Sequence, residues 1–375
     1  MKVIIAPDKF KGSLSAMEVC KAINRGLKNW DPAIETILHP LADGGEGTLA
    51  ILQNYFELAK IEVVVKNPLF KDITASYLVS KDTAFIEMSH ASGLQLLQIE
   101  ERDCMHTTTI GTGQLIADAI KKGYKKIVLF IGGSATNDGG IGMAAALGYD
   151  FFDSKGVVLS PVGESLIAID RIDSSNRKLE LNDIEFTVVC DVKNPLYGPN
   201  GAAYIYGAQK GASAESIALL DMGLQNFSKQ VEIHLKIDVA TILGGGAAGG
   251  LGAGAVCFLN AKIKSGIDFI MEQTNFEVAI TGKDNLIITG EGSLDKQTVE
   301  GKVIKGISDR AHKNKIPFVI IAGIIKDQEL IKEKLQPHSM HAIMDVAVST
   351  TDAMSNAAKH IEFIAQQLIK DYFKK

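Results

Sequence analysis

Five loops in this 375-residue chain gather acids, lysines or hydroxyl residues, four of them beside glycine. They are APDKFKGS from Ala6, ADGGEGT from Ala42, GGSATNDGG from Gly132, CDVKNPL from Cys190 and TGEGSLDKQT from Thr289. In parallel sheets, ligands bind outside the carboxyl ends of the strands. Five loops of one texture therefore point to a shared polyanion site more than to unrelated turns. Phosphoryl transfer asks for carboxylates to hold Mg²⁺, cations for the migrating charge and a base for the attacking hydroxyl. Asp8, Asp43, Glu46, Asp138, Asp191, Glu291 and Asp295 supply the acids, and Lys9, Lys11, Lys193, Lys210 and Lys302 supply the cations.

Position divides the roles. Asp191 directly follows the apolar Val188-Val189-Cys190, so it is a strand-end acid and the first choice of base. Asp8, which also ends an apolar run, is the second. Asp43, Glu46 and Asp295 suit the metal, while Lys11 and Lys302 suit an anionic group of either substrate. Backbone N–H groups freed by glycine can cradle phosphate. This assigns Gly133, Ser134, Asn137 and Asp138 to nucleotide contacts, with Gly246, Gly249 and Gly250 in GGGAAGGLGAG and Gly290 and Glu291 in TGEG. Close packing of small residues is the competing account of these glycines. Gly244, Gly246 and Gly249 also match GxGxxG, which indicates dinucleotide binding only between a strand and a helix. No GxxxxGK[ST] segment is present.

Regular elements must position these loops. Val3 to Ile5 predicts a strand, and Ser15 with Glu18 forms a capping box for a helix carrying Val19, Ile23 and Leu27. A strand over 35–39 and a helix over 47–55 follow. The same grammar returns at the other end, with strands over 286–289, 318–322 and 342–347 and helices over 301–312 and from Asp352. The middle of the chain predicts an antiparallel pair around Ser80-Lys81-Asp82, a helix over 113–122, a strand over 126–131, a polar stretch over 170–183 and a helix over 214–234. The expected class is α/β: a flavodoxin-like, doubly wound parallel sheet from residues 1–65 and 263–375, interrupted by a second α/β domain over 66–262. Right-handed crossovers favour the strand order 2-1-3-4-5 for the outer sheet.

Composition narrows the partners. With 39 basic and 44 acidic side chains the net charge is −5, which offers no broad positive surface for nucleic acid. Cys20, Cys104, Cys190 and Cys257 stand singly, as small apolar residues of a reducing compartment do. No run reaches the ~20 apolar residues of a membrane span, and a cytoplasmic location is expected.

Taken in order, APDKFKGSLSA, PLADGGEGT, GGSATNDGGIGM, CDVKNPLYGPNGAA, GAQKGAS, GAAGGLGAG and TGEGSLDKQTVEGK resemble the successive signature segments of the type-1 glycerate kinase family. The resemblance runs from residue 3 past residue 302. It implies ATP-dependent phosphorylation of glycerate with magnesium-nucleotide as cofactor and 2-phosphoglycerate as product. Phosphorylation at the 3-position, or a nicotinamide-dependent oxidation of a small hydroxy acid, are the alternatives. Lys9 where serine is usual, Gln114 where glutamate is usual, and Ser89-His90 where two alanines are usual depart from the family pattern.

Overall fold

The computed structural model describes residues 2–44, 48–177, 179–282, 285–300 and 303–372. Its strands in chain order are β1 (Lys2–Ile5), β2 (Glu35–Leu38), β3 (Ala59–Lys66), β4 (Asp72–Ser80), β5 (Thr83–Glu87), β6 (Lys126–Phe130), β7 (Asp150–Phe152), β8 (Arg171–Asp173), β9 (Glu185–Val189), β10 (Lys262–Lys264), β11 (Asn285–Leu294), β12 (Phe318–Ile325) and β13 (Ser339–Ala342). The chain divides into two compact units, Met1–Tyr55 with Ser265–Lys375, and Phe56–Lys264.

The first unit is built on a five-stranded sheet in the order β13-β12-β11-β1-β2. Every pairing in it is parallel, so numbered within the unit this is the expected 2-1-3-4-5. Val3 to Ile5, Leu286 to Ile288 and Val319 to Ile321 are all fully buried. Such uninterrupted apolar runs mark strands covered on both faces. The helix Ala16–Trp30 begins at the Ser15–Glu18 capping box and buries Val19, Ile23 and Leu27. It packs on the closing helix Ala357–Tyr372, where Arg25 Nε and Glu362 Oε2 meet at 2.8 Å.

The second unit holds a mixed sheet in the order β10-β9-β6-β5-β4-β3. β4 and β5 pair antiparallel about Lys81 and Asp82, and Lys81 takes a left-handed φ of 53° there. β3 pairs with β4 along its whole length, which brings it into this unit, whereas a division at residue 65 would separate it. The helix Ala214–Leu235 seats Leu220, Leu224, Phe227 and Val231 in the core.

Two local expectations shift. The strand expected over 342–347 lies earlier, at β13, because the Asp345 carboxylate accepts from the Ala342 N–H and turns the chain into a short 3₁₀ segment, Ile343–Asp345. The polar stretch over 170–183 contains β8, paired with β7. There Ile172 is buried and the Arg171 guanidinium stacks 3.8 Å from the Phe152 ring centroid. Cys20, Cys104 and Cys257 are buried and Cys190 is half-buried, all as free thiols.

Candidate active site

β1 is the central branch point of the first sheet: the chain leaves it to build β2 on one side and returns to build β11 on the other. Such a switch point opens a crevice at the carboxyl ends of the strands. A cavity of about 440 Å³ lies there, and its lining includes Asp8, Lys9 and Lys11 after β1, Asp43 after β2, and Glu291 and Asp295 at the end of β11. Three of the five loops thus reach one cavity.

Asp8 is nearly buried. Its own N–H donates to the Gly290 carbonyl at 2.8 Å, and the Lys9 N–H donates to its Oδ1 at 2.6 Å. Burial, reinforced by the negative charges of Asp43 and Glu291, lifts its pKa to about 7. Glu291 accepts at 2.6 Å from the hydroxyl of buried Thr298, and that same oxygen accepts from the Asp295 N–H at 3.2 Å. One threonine therefore ties two of the rim acids together. Thr298 closes the TGEGSLDKQT segment, yet nothing in its sequence position distinguishes it from a turn residue.

Gly290 lies within β11, where a Cβ would come 2.0 Å from the Ile321 carbonyl. Its glycine is explained by strand packing without any phosphate. Glu46 and Lys302 lie outside the described residues.

The remaining residues named from sequence belong to the second unit. Asp191 is half-buried in the loop two residues past β9. Asp138 is fully buried and turned inward: it accepts from the Thr109 N–H and hydroxyl and from the N–H groups of Gly140 and Gly142, while burial raises its pKa. Lys210 is likewise buried, donating at 2.8 Å to Ser134 Oγ and to the Thr136 carbonyl, and burial lowers its pKa to about 8. It pins the Gly132–Asp138 loop from within instead of presenting a cation to solvent. Gly133 is exposed, and the buried Asn137 carboxamide has no hydrogen-bond partner among the described residues.

The run around Gly246, Gly249 and Gly250 is buried. At Gly249, with φ +69°, a Cβ would sit 2.0 Å from the Thr136 carbonyl, which favours the close-packing account. The element preceding this run is the helix Ala214–Leu235, not a strand, so the GxGxxG match lacks the context that dinucleotide binding needs.

Among the described residues no three His, Cys, Asp or Glu side chains form a ready metal cluster. Magnesium, however, is commonly held by one or two carboxylates together with substrate phosphates, and the acids facing this cavity are of that kind. No helix in the described residues is long and apolar enough to cross a membrane.

Comparison with known proteins bears on what this cavity serves. The model of the Glycerate kinase family matches residues 3–372. A glycerate kinase of Bacillus cereus is 41% identical over 374 residues, covering 98% of this chain and 97% of that protein. A glycerate 2-kinase of Escherichia coli is 42% identical over 351 residues, covering 93% and 91%. The crystal structure of a protein described as glycerate kinase 2 from Salmonella typhimurium superposes with a TM-score of 0.84 at 36% identity, over all of this chain and 98% of that one.

Proposed function

Because the chain belongs to the glycerate kinase family, we propose that it transfers the γ-phosphoryl group of ATP to the C2 hydroxyl of D-glycerate, giving 2-phosphoglycerate. The observation that carries this reading is the gathering of Asp8, Lys9, Lys11, Asp43, Glu291 and Asp295 around one cavity at the switch point of a parallel sheet. The name of the Escherichia coli relative, glycerate 2-kinase, supports the position of transfer.

The rim fits a divalent cation. Asp43 and Glu291 both raise the pKa of Asp8, the mark of negative charges held close to it. Asp43, Glu291 and Asp295 would hold magnesium, with Glu46 as a further ligand by sequence. Bound there, the ion would draw negative charge from the phosphate oxygens.

Asp8 is the group we assign to accept the hydroxyl proton as the C2 oxygen forms its bond to phosphorus and the bond from phosphorus to the leaving ADP oxygen breaks. Its carboxylate accepts from the Lys9 N–H while its own N–H is held by the Gly290 carbonyl, and a base tuned toward neutrality is suited to this proton transfer. Lys11, exposed at the cavity edge, screens the anionic substrates as they meet. Asp191, the first choice from sequence, stays in contention as the alternative base. The exposed Gly133 and the Asn137 amide, without a hydrogen-bond partner among the described residues, support an anion contact for their loop.

The test is incubation with ATP, Mg²⁺ and D-glycerate followed by phosphorus NMR. A phosphate on C2 couples to one vicinal proton and gives a doublet, whereas one on C3 couples to two and gives a triplet. A doublet is expected. A triplet would move the transfer to the 3-position, and no ATP-dependent phosphoglycerate would overturn the proposal.

A further inference from the structure

Half of the cavity has the wrong character for its charged rim. Every carbon of glycerate carries oxygen and a triphosphate is a polyanion, so neither brings an apolar face. Beyond Glu291, toward β13, the wall changes to Ile324, Ile343, Met344, Ala353 and Met354. Ile324 and Met354 are 39% and 49% exposed. Large apolar side chains left open inside a concave site mark where an apolar part of a ligand belongs.

Resting on the kinase reading above, we propose that this end is the nucleobase subsite, with the purine of ATP lying against Ile324, Met344 and Met354 and the triphosphate running along the strand ends toward Lys9 and Lys11. Three observations commit the site to that occupant. The apolar wall and the charged rim line one continuous cavity of about 440 Å³, so its ligand carries a flat apolar end and an anionic end in one molecule. Two of the three contact residues are methionines, whose thioethers pack well on aromatic rings. Met354 is also fixed in place, since its carbonyl accepts from the Ser13 hydroxyl at 2.7 Å. The charged end coincides with the switch point, where phosphates bind in sheets of this type.

The test uses Ile324→Gln and Met354→Gln. Both positions are exposed, and both changes are neutral, so neither alters the electrostatics felt by the triphosphate. Each variant is expected to raise the KM for ATP by about tenfold while the KM for glycerate moves less than twofold. Competitive inhibition by ADP and by pyrophosphate separates nucleoside from phosphate binding. ADP should bind better in the unaltered enzyme, and that advantage should shrink about tenfold in the variants.

An unchanged ATP KM with an unchanged ADP-to-pyrophosphate ratio in both variants would overturn the subsite. So would a rise confined to the glycerate KM. If the unaltered protein did not phosphorylate glycerate, the functional reading would fail, yet calorimetric titration with ADP and with pyrophosphate would still decide the subsite. Preference for ADP lost in both variants upholds it, and equal binding of the two probes overturns it.

Discussion

The N–H of Asp8 donates to the carbonyl of Gly290 at 2.8 Å, three residues beyond Ile5, the last residue of β1 to pair with β11. It continues a ladder in which the Ala6 N–H donates to the Ile288 carbonyl at 2.8 Å and the Thr289 hydroxyl donates to the Ala6 carbonyl at 2.8 Å. The sheet therefore reaches past its strand and holds the acid's backbone. On the far side of β11, Gly290 lets β12 approach until no Cβ would fit.

Gly290→Ala is thus expected to act on stability before it acts on nucleotide binding. A methyl 2.0 Å from the Ile321 carbonyl forces two paired strands apart, and overpacking of this kind costs about 3 kcal/mol. Urea unfolding followed by circular dichroism should show the loss. An unaltered midpoint together with a raised ATP KM would return Gly290 to the phosphate-contact role expected from sequence.

Gly249→Ala separates the two accounts of the glycine-rich run in the same way. The position has φ +69° and faces the Thr136 carbonyl at 2.0 Å from an added Cβ, so strain and overlap together should cost about 2–4 kcal/mol. The expected result is a lower unfolding midpoint with the ATP KM of the remaining folded enzyme unchanged. Normal stability with weakened ATP binding would show a phosphate cradle instead.

His39 makes stability depend on acid. Its Nε2 lies 2.8 Å from Thr274 Oγ1, and because that hydroxyl spends its hydrogen on the Ile270 carbonyl, the His39 Nε2–H donates to it. Burial lowers its pKa from 6.5 to about 4. Between those values the unfolded chain binds a proton that the folded chain refuses, so stability falls as pH drops through that window and is insensitive to His39 above it. The full shift corresponds to about 3 kcal/mol. Unfolding free energies measured from pH 7 to 4.5 should fall more steeply for the unaltered protein than for His39→Gln, and parallel slopes would refute the assignment.

What could be read from sequence follows from which forces act locally. Unbroken apolar runs such as Val3 to Ile5 and Val319 to Ile321 announce strands covered on both faces, and the order of helices and strands then constrains the sheet. Loop chemistry brought Asp8, Lys11, Asp43, Glu291 and Asp295 onto one list, and they share one cavity. The same chemistry cannot tell an acid facing a cavity from Asp138, whose carboxylate is spent on Thr109 and on its own loop, nor a solvated lysine from Lys210, buried beneath Ser134. The apolar half of the cavity is silent for the opposite reason: Ile324 near the end of β12 and Met344 in the 3₁₀ segment after β13 have the signature of core residues, and only the three-dimensional lining reveals them. β13 ends before the strand its sequence suggests because one hydrogen bond, from the Ala342 N–H to the Asp345 carboxylate, outweighs an apolar pattern that continues past it.

The choice between Asp8 and Asp191 as base is where sequence and structure pull apart. Both follow a strand, and the apolar run directly before Asp191 ranks it first by sequence position. Structure distinguishes their surroundings: Asp8 is nearly buried in the cavity, with a pKa lifted to about 7 by burial and by Asp43 and Glu291. Replacing its carboxylate with an amide keeps the shape and removes the proton acceptor. Asp8→Asn should therefore lower kcat by ~10²-fold or more, the scale of general-base catalysis, while leaving the unfolding midpoint near that of the unaltered protein. The same substitution also removes a negative charge beside Asp43 and Glu291, so ATP affinity is measured in parallel. A loss confined to KM would make Asp8 a binding residue. Asp191→Asn is the matched control, expected to reduce kcat by less than tenfold. Should Asp191→Asn lose ~10²-fold in kcat while Asp8→Asn retains it, the proton acceptor is Asp191 and the acidic cavity serves the nucleotide alone.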